Sequence, residues 1–334
     1  MTGWVDRLWY GKGRPLWPLY PFAWLYRLIS EQRRRAGWQA MSAPIPVPVV
    51  VVGNITAGGT GKSPLTAMLA QLLKDEGWRP VILTRGYGGK SGHYPFQIQP
   101  ETSASEAGDE PVMLSDQAGC PVVVDPDRCR GALWALDQGL GNILLCDDGL
   151  QHYRLPRDIE IAVFDGQRGL GNGAQIPVGP LRERPDRLSS VDFVVTNGGW
   201  LSELDHPHQH TMTLVPTALR HLASGRGVPL DEIRGKPVTA VAGIGNPGRF
   251  FDTLRNLGAT VSERALPDHH QFRPEDLQCN GDQWLVMTAK DAVKCREMAP
   301  DNAWVLEVSA QLPQAFSAAL LAAVNTADQT HQEK

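Results

Sequence analysis

The chain has 334 residues, of which 42% are hydrophobic and 20% are charged, and its formal net charge is −4. This composition is that of an ordinary globular protein, and the length fits about two domains. The nearly balanced charge provides no global basic field, so we expect no nucleic-acid partner. None of the five cysteines forms a C-x-x-C pair, which favours reduced thiols in the cytosol over a disulfide framework.

Residues 1–40 are rich in both aromatic and basic side chains. They contain five of the ten tryptophans, and seven arginine or lysine residues against two acidic ones. The uncharged stretch at residues 15–26 is shorter than the about 20 residues that span a bilayer. Its prolines (Pro15, Pro18 and Pro21) are expected to interrupt a helix. Such a segment favours the headgroup layer of a membrane, and a helix packed on its own domain is the alternative.

The strongest motif is TAGGTGKS at residues 56–63, which follows the apolar run at residues 46–53 and precedes a helical pattern. A strand, a glycine-rich turn and a helix start are the setting of a phosphate-binding loop. Lys62 can bring positive charge to the outer phosphates, and the Ser63 hydroxyl can ligate Mg²⁺. Thr56 stands where the strict motif has glycine, so we predict a variant loop. The residues expected to bind a nucleoside triphosphate are Thr56, Ala57, Gly58, Gly59, Thr60, Gly61, Lys62 and Ser63.

Two polar turns follow this loop. A strand at residues 79–84 ends at Arg85, which could meet a phosphate or be an ordinary loop charge. The sequence GDEP then places Asp109 and Glu110 next to Pro111, at a helix start. From the residues alone, helix capping and a functional role for these carboxylates are evenly balanced.

An apolar strand from residue 142 runs directly into Asp147 and Asp148. A strand that ends in aspartate, downstream of a phosphate loop, is the Walker B arrangement that holds Mg²⁺. Adjacent carboxylates repel each other unless a cation lies between them, which strengthens the metal prediction. Strand and helix signals alternate along this region, so we predict a parallel sheet with helices on both faces.

The second part of the chain reads as a smaller α/β unit. The alternate histidines His206, His208 and His210 indicate an exposed connector near a domain boundary rather than a metal site. GIGNPGRF at residues 243–250 matches a nucleotide-binding glycine turn only weakly. A strand is predicted over residues 284–294.

Taken in order, the motifs GNITAGGTGKSP, TRGYGG, GDEP, DDGLQH, GPLRE, GIGNPGRFF, PDHHQF and TAKDAVK resemble the tetraacyldisaccharide 4'-kinase family over nearly the whole chain. The resemblance implies an ATP- and Mg²⁺-dependent kinase that phosphorylates the 4'-hydroxyl of the tetraacylated glucosamine disaccharide 1-phosphate in lipid A biosynthesis. It also implies a protein that works as a peripheral or monotopic enzyme at the cytoplasmic face of the bacterial inner membrane. We expect a monomer.

The resemblance also implies roles for single residues. Asp109 is expected to be the catalytic base, and His269 to support it from the second domain, although on local grounds His269 and His270 are a solvated loop pair. Glu110, Asp147 and Asp148 are expected to serve Mg²⁺ and the phosphates. Further expected roles are catalysis for Lys62, Asp109, Asp147, Asp148 and His269, metal binding for Ser63, Glu110 and Asp147, and a place near the nucleotide for Gln151 and His152.

The expected organisation is a membrane-associating segment (1–40), a P-loop NTPase-type kinase domain (41–205) and a smaller C-terminal α/β domain (206–334) that closes over the active site. Two other functions share the phosphate loop. A nucleotide switch or metal-insertion ATPase would transfer nothing and would not need the aromatic N-terminus. A soluble small-metabolite kinase would be indifferent to membranes. We expect deletion of residues 1–36 to impair membrane association more than folding or ATP binding.

Overall fold

One mixed β-sheet runs through both halves of the chain. The computed structural model describes residues 4–11, 17–41, 44–268, 270–279, 281 and 283–333. The strands of this described part are β1 (Val49–Gly53), β2 (Pro80–Thr84), β3 (Phe96–Gln97), β4 (Val122–Val124), β5 (Ile143–Asp147), β6 (Ile159–Asp165), β7 (Phe193–Asn197), β8 (Gln209–His221), β9 (Gly227–Val228), β10 (Pro237–Ala242), β11 (Thr260–Ala265), β12 (Trp284–Thr288) and β13 (Ala303–Gln311). The α-helices are α1 (Trp4–Tyr10), α2 (Tyr20–Gln39), α3 (Lys62–Asp75), α4 (Ala104–Ala107), α5 (Asp109–Ala118), α6 (Arg128–Asp137), α7 (Pro247–Asn256), α8 (Ala289–Cys295) and α9 (Gln314–Gln332).

The strand order is β11-β10-β12-β13-β8-β7-β6-β1-β5-β2-β4-β3, with β9 beside β8. The long strand β8 joins the first half of the chain, which ends with β7, to the second half. Residues 209–212 of β8 pair in parallel with β7, and residues 213–221 pair antiparallel with β13. The sheet is therefore mostly parallel, which agrees with the predicted fold class.

Helices cover both faces of the sheet. In β1, the side chains of Val50 and Val52 join the hydrophobic core formed with α3, α5 and α9. Val49 and Val51 point to the opposite face, where α6 packs. All four valines are buried, as expected for an interior parallel strand. The last helix, α9, thus returns to the first half of the chain, through Phe316, Leu320 and Val324.

Two element predictions need correction. The strand predicted over residues 284–294 ends at Thr288, because the Thr288 hydroxyl accepts a hydrogen bond from the Asp291 backbone N–H (3.3 Å) and so caps helix α8. Pro21 does not interrupt a helix. It lies in the first turn of α2, where a missing backbone N–H costs nothing.

His206 and His208 lie in the connection from β7 to β8, whereas the predicted connector is wrong for His210, which lies within β8. The His206 side chain contacts the Val191 carbonyl oxygen at 3.1 Å. No helix in the described ranges is both long and apolar enough to cross a bilayer.

Candidate active site

A cavity of about 1060 Å³ opens at the carboxyl ends of the parallel strands, where ligands bind in open α/β sheets. Both halves of the chain line it. The first half contributes residues 58–63 of the phosphate loop, Glu110 and Asp147, and the second half contributes Gly245 and Lys290.

The phosphate loop connects β1 to α3, whose first residue is Lys62. Gly61 precedes the helix with a φ of 93°, and a Cβ atom there would lie 2.7 Å from Asn197 Nδ2. That amide donates a hydrogen bond to the Thr60 carbonyl oxygen (3.2 Å), so Asn197 at the end of β7 fixes the loop. Thr56, which stands where the strict motif has glycine, is buried and forms an isolated antiparallel β-bridge with Leu181.

Two cations hold the second carboxylate of the DDGLQH motif. Lys62 Nζ lies 3.4 Å and Arg182 Nη1 lies 3.3 Å from Asp148 Oδ1. Burial raises the pKa of Asp148, but these two charges outweigh it and hold the pKa below its usual value. Asp148 has a φ of 49°, an uncommon conformation for a residue with a side chain, and one that clusters at functional sites.

The first carboxylate, Asp147, lies deeper. It is 2% exposed, and its Oδ1 accepts a hydrogen bond from Thr66 Oγ1 at 3.0 Å. Burial, followed by the charge of Glu110, raises the pKa of Asp147 to about 7. A buried carboxylate with acidic neighbours is stabilised by a cation. The donor set therefore fits Mg²⁺, which prefers oxygen ligands.

The GDEP turn begins α5, and its carboxylates pair with lysines of α8. Lys290 Nζ lies 3.1 Å from Glu110 Oε1, and Lys294 Nζ lies 3.3 Å from Asp109 Oδ2. The N-cap of α5 is Gly108, and no side chain caps this helix. Asp109 therefore does not act as a capping residue, and its carboxylate is directed to a cation from the second half of the chain.

Lys294 is itself held by a buried carboxylate. Asp291 is fully buried, and its Oδ2 accepts hydrogen bonds from Thr288 Oγ1 (2.7 Å) and the Gly243 backbone N–H (3.1 Å). Asp291 Oδ1 lies 3.9 Å from Lys294 Nζ. The ammonium group of Lys294 thus lies between two carboxylates, one from each half of the chain.

Gln151 and His152, predicted to lie near the nucleotide, also line the cavity. Gln151 Nε2 donates hydrogen bonds to the Asn54 carbonyl oxygen (3.0 Å) and to Glu183 Oε1 (2.6 Å). His152 lies within 4.8 Å of ligand atoms of Asp127 and Cys129, a set that could hold a metal ion. Burial, followed by the charge of nearby arginines, lowers the pKa of His152 to about 4, and the same charges oppose a cation there.

The structure brings the phosphate loop, Glu110, Asp147 and Asp148 together at one cavity. His269 lies outside the described residues. The sequence interpretation assigned no role to Thr66, Asn197, Lys290 and Lys294, each of which contacts a predicted site residue. A signal existed for the two lysines, because their i, i+4 spacing in TAKDAVK places both on one face of a helix.

Comparisons with known proteins show the family of this chain. The model of the family "Tetraacyldisaccharide-1-P 4'-kinase" matches residues 15–325. The chain belongs to this family. The tetraacyldisaccharide 4'-kinase of Tolumonas auensis is 46% identical over 95% of this chain and 96% of its own length, and that of Hahella chejuensis is 42% identical over 95% of both. The crystal structure of LpxK from Aquifex aeolicus in complex with ATP superposes with a TM-score of 0.77 at 29% identity, and the match covers 92% of this chain and 98% of that one.

Membership of the tetraacyldisaccharide 4'-kinases confirms the family resemblance, the fold class and the prediction of a kinase acting on a hydroxyl group. It favours a lipid A 4'-kinase over a nucleotide switch or a soluble small-metabolite kinase.

Proposed function

We propose that this 4'-kinase transfers the γ-phosphoryl group of ATP to the 4'-hydroxyl of the tetraacylated disaccharide 1-phosphate, with Asp109 as the general base. The observation that carries the proposal is that the phosphate loop, Asp147 and Glu110 line one cavity, with Asp109 next to Glu110 in the first turn of α5. The cavity can therefore hold the phosphates of ATP, and Asp109, next to the lining residue Glu110, can receive the proton of an acceptor hydroxyl that enters it.

In the transfer, the 4'-oxygen forms a bond to the γ-phosphorus as the bond from that phosphorus to the β,γ-bridging oxygen of ATP breaks. The hydroxyl proton passes to the Asp109 carboxylate, and ADP leaves with the bridging oxygen. Lys62 and the loop amides offset the charge on the phosphate oxygens. An aspartate is a weak base, but a loose transition state needs little base strength early, so a well-positioned carboxylate suffices.

Ser63, Glu110 and Asp147 are the residues that would hold Mg²⁺. When bound, the ion would add positive charge next to the phosphate oxygens. Asp148, held by Lys62 and Arg182, stays anionic and keeps the Lys62 ammonium group at the phosphate loop. Lys290 neutralises Glu110 across the cavity, so the second half of the chain contributes charge to this site.

We further propose that the second half, residues 206–334, closes over the site as a unit. Two polar contacts between the halves of the chain support this. Arg249 Nη2 lies 3.0 Å from Asp165 Oδ1, and Lys294 reaches Asp109. Closure that assembles the base only around bound acceptor would limit wasteful ATP hydrolysis.

We also propose that the enzyme works at the cytoplasmic face of the inner membrane, to which helix α2 attaches it. Trp17, just before α2, is 80% exposed, and Phe22 and Trp24 within it are 60% and 63% exposed. Arg33 and Arg35 lie on the same helix and suit anionic headgroups. The C-terminal end of α2 packs on the protein body, where Trp38 contacts the ring of Tyr153.

The role of Asp109 can be tested with the variants Asp109→Ala, His269→Ala and the double variant. If the two residues act as a unit, each single change lowers turnover strongly and leaves the ATP Michaelis constant nearly unchanged, and the double variant is scarcely worse than the more damaging single one. Thermal unfolding measured in parallel separates a structural loss. Fully multiplicative losses would leave Asp109 as the base without His269. Near-wild-type turnover of Asp109→Ala would remove Asp109 from the chemistry.

A further inference from the structure

Helix α1 contacts the phosphate loop directly. The Tyr10 hydroxyl donates a hydrogen bond to the carbonyl oxygen of Ala57 (3.2 Å), the second residue of that loop. On its other side, the Ala57 backbone N–H donates to the Pro180 carbonyl oxygen (2.7 Å). The peptide groups of Ala57 are thus held from two directions, one of which is the N-terminal helix. Burial raises the pKa of the Tyr10 phenol, so at neutral pH the hydroxyl remains a donor.

The guanidinium group of Arg168 joins the same helix to both halves of the cavity. It lies 4.9 Å from the centre of the Tyr10 ring, and its Nη2 lies 3.7 Å from Asp6 Oδ1. The same nitrogen donates a hydrogen bond to the Gly245 carbonyl oxygen (3.0 Å), in the glycine turn before α7. Its Nη1 lies 3.6 Å from the position that a Cβ atom would take on Gly58 of the phosphate loop. One side chain therefore contacts α1 and the second half, and lies close to Gly58 of the phosphate loop.

The remaining contacts of α1 fix it to the loop at residues 169–184. Trp9 Nε1 donates to the Pro177 carbonyl oxygen (3.1 Å), and the Asn172 backbone N–H donates to the Trp9 carbonyl oxygen (2.8 Å). Asn172 Nδ2 also donates to the Leu8 carbonyl oxygen (3.3 Å). These hydrogen bonds attach α1 to the protein without involving the phosphate loop. Substituting them tests the attachment of the helix independently of the contact between Tyr10 and Ala57.

We propose that Tyr10 and Arg168 are positioning residues for the nucleotide: they hold the phosphate loop in the shape in which its amides meet the phosphates. A phosphate loop binds through backbone groups, so its affinity depends on how well those groups are held before the ligand arrives. The N-terminal helix is then a part of the nucleotide site, in addition to any role at a membrane. This inference rests on the proposed binding of ATP at the phosphate loop and not on the role of Asp109.

The variant Tyr10→Phe removes one hydroxyl and keeps the ring under Arg168. The matched control is Trp9→Phe, which removes a side-chain donor of the same helix from the carbonyl oxygen of Pro177 instead of that of Ala57. The measurement is direct binding of ADP to the full-length chain by calorimetry, with thermal unfolding of each variant alongside. We expect Tyr10→Phe to weaken ADP binding about fivefold, the factor that corresponds to one hydrogen bond of about 1 kcal/mol. Trp9→Phe should change it less than about twofold.

Arg168 is tested by Arg168→Gln and Arg168→Lys. The glutamine variant loses the charge that faces Asp6 and Tyr10, so we expect it to weaken ADP binding at least as much as Tyr10→Phe does, and the lysine variant to recover part of the loss. In the kinase assay, Tyr10→Phe should raise the Michaelis constant for ATP more than it lowers turnover.

Two results would overturn the assignment. One is ADP binding that Tyr10→Phe leaves unchanged. The other is an equal loss of ADP affinity in Tyr10→Phe and Trp9→Phe, in proportion to the fall in their thermal stability. The helix would then only stabilise the fold. A wild-type chain that binds no ADP would contradict the proposed function itself.

Discussion

His152 shows how burial at the site sets a protonation state. Its Nε2 is buried without a hydrogen-bond partner, and its pKa is lowered to about 4 against an ordinary value near 6.5. Between these two pH values the unfolded chain binds a proton that the folded chain does not. The contribution of His152 to the free energy of unfolding is therefore fully present above about pH 6.5 and is lost as the pH falls toward 4.

We predict that His152→Gln makes the free energy of unfolding of the protein less sensitive to acid. Urea unfolding of the wild type and the variant at pH 7.5 and pH 5.0 gives the free energy of unfolding that each protein loses between the two pH values. This loss should be smaller in the variant. The difference between the two pH values is the readout, so any uniform destabilisation by the substitution cancels. Equal losses in both proteins would mean that His152 titrates normally in the folded state.

The sequence alone indicated a role for residues whose chemistry follows from their immediate neighbours in a short motif. Lys62 and Ser63 follow the glycines of the phosphate loop, and Asp147 follows an apolar strand, so the local sequence carries the chemistry. Thr66 and Asn197 escaped prediction because each acts through a contact that only the folded chain creates, with Asp147 81 residues away and Thr60 137 residues away.

At the scale of elements, the packing of α8 against α5 brings lysines to the GDEP turn. The two helices are joined by Lys294 with Asp109 and, further from the cavity, by Arg296 with Asp116. The second pair is a matched control for the first, because it links the same helices without touching a proposed catalytic residue.

We predict that Lys294→Met lowers turnover by about 10- to 100-fold, because the Asp109 carboxylate loses the group that orients it. Arg296→Met removes a partly exposed ion pair worth about 0–1 kcal/mol of stability and should leave turnover nearly unchanged. Steady-state kinetics and thermal unfolding of both variants test this. If both variants lose the same activity, Lys294 contributes to the helix interface and not to the base.

The sequence predicted most strands but placed the end of β12 wrongly. The residues after Thr288 include Ala292 and Val293, which extend the apolar pattern of the strand, and only the side-chain cap made by Thr288 marks the change to helix. The position of α1 was not predictable either. Its contacts with residues 57, 168 and 172 span large separations in sequence and follow no local pattern.

At the scale of the whole molecule, the N-terminal region contains two kinds of surface. Helix α1 is attached to the phosphate loop, whereas the first half of α2 exposes its aromatic side chains. Of the two alternatives drawn from the sequence, a helix packed on its own domain describes α1, and the proposed interfacial segment is confined to α2. Deleting residues 1–36 would remove both parts together, so substitutions on α2 are the sharper test of membrane attachment.

We predict that the double variant Phe22→Ser, Trp24→Ser lowers binding to anionic phospholipid vesicles by at least about tenfold, because each ring contributes about 1.5–3 kcal/mol when fully buried in the interface. The matched control is Trp200→Ser, which removes a tryptophan that is 61% exposed elsewhere on the surface. Vesicle flotation measures the bound fraction. If the double variant floats as well as the control, the attachment lies outside α2.

Phosphate transfer from ATP to the sugar hydroxyl of a lipid is the reaction from which the role of every site residue follows. The most direct measurement incubates the protein with γ-labelled ATP and tetraacyldisaccharide 1-phosphate in detergent, and with the same acceptor lacking its 4'-hydroxyl. We predict a labelled bisphosphorylated lipid from the first acceptor, none from the second, and a loss of about 100-fold or more in Lys62→Ala. Release of labelled inorganic phosphate with no label in the lipid, or labelling that does not require the 4'-hydroxyl, would rule out a 4'-kinase.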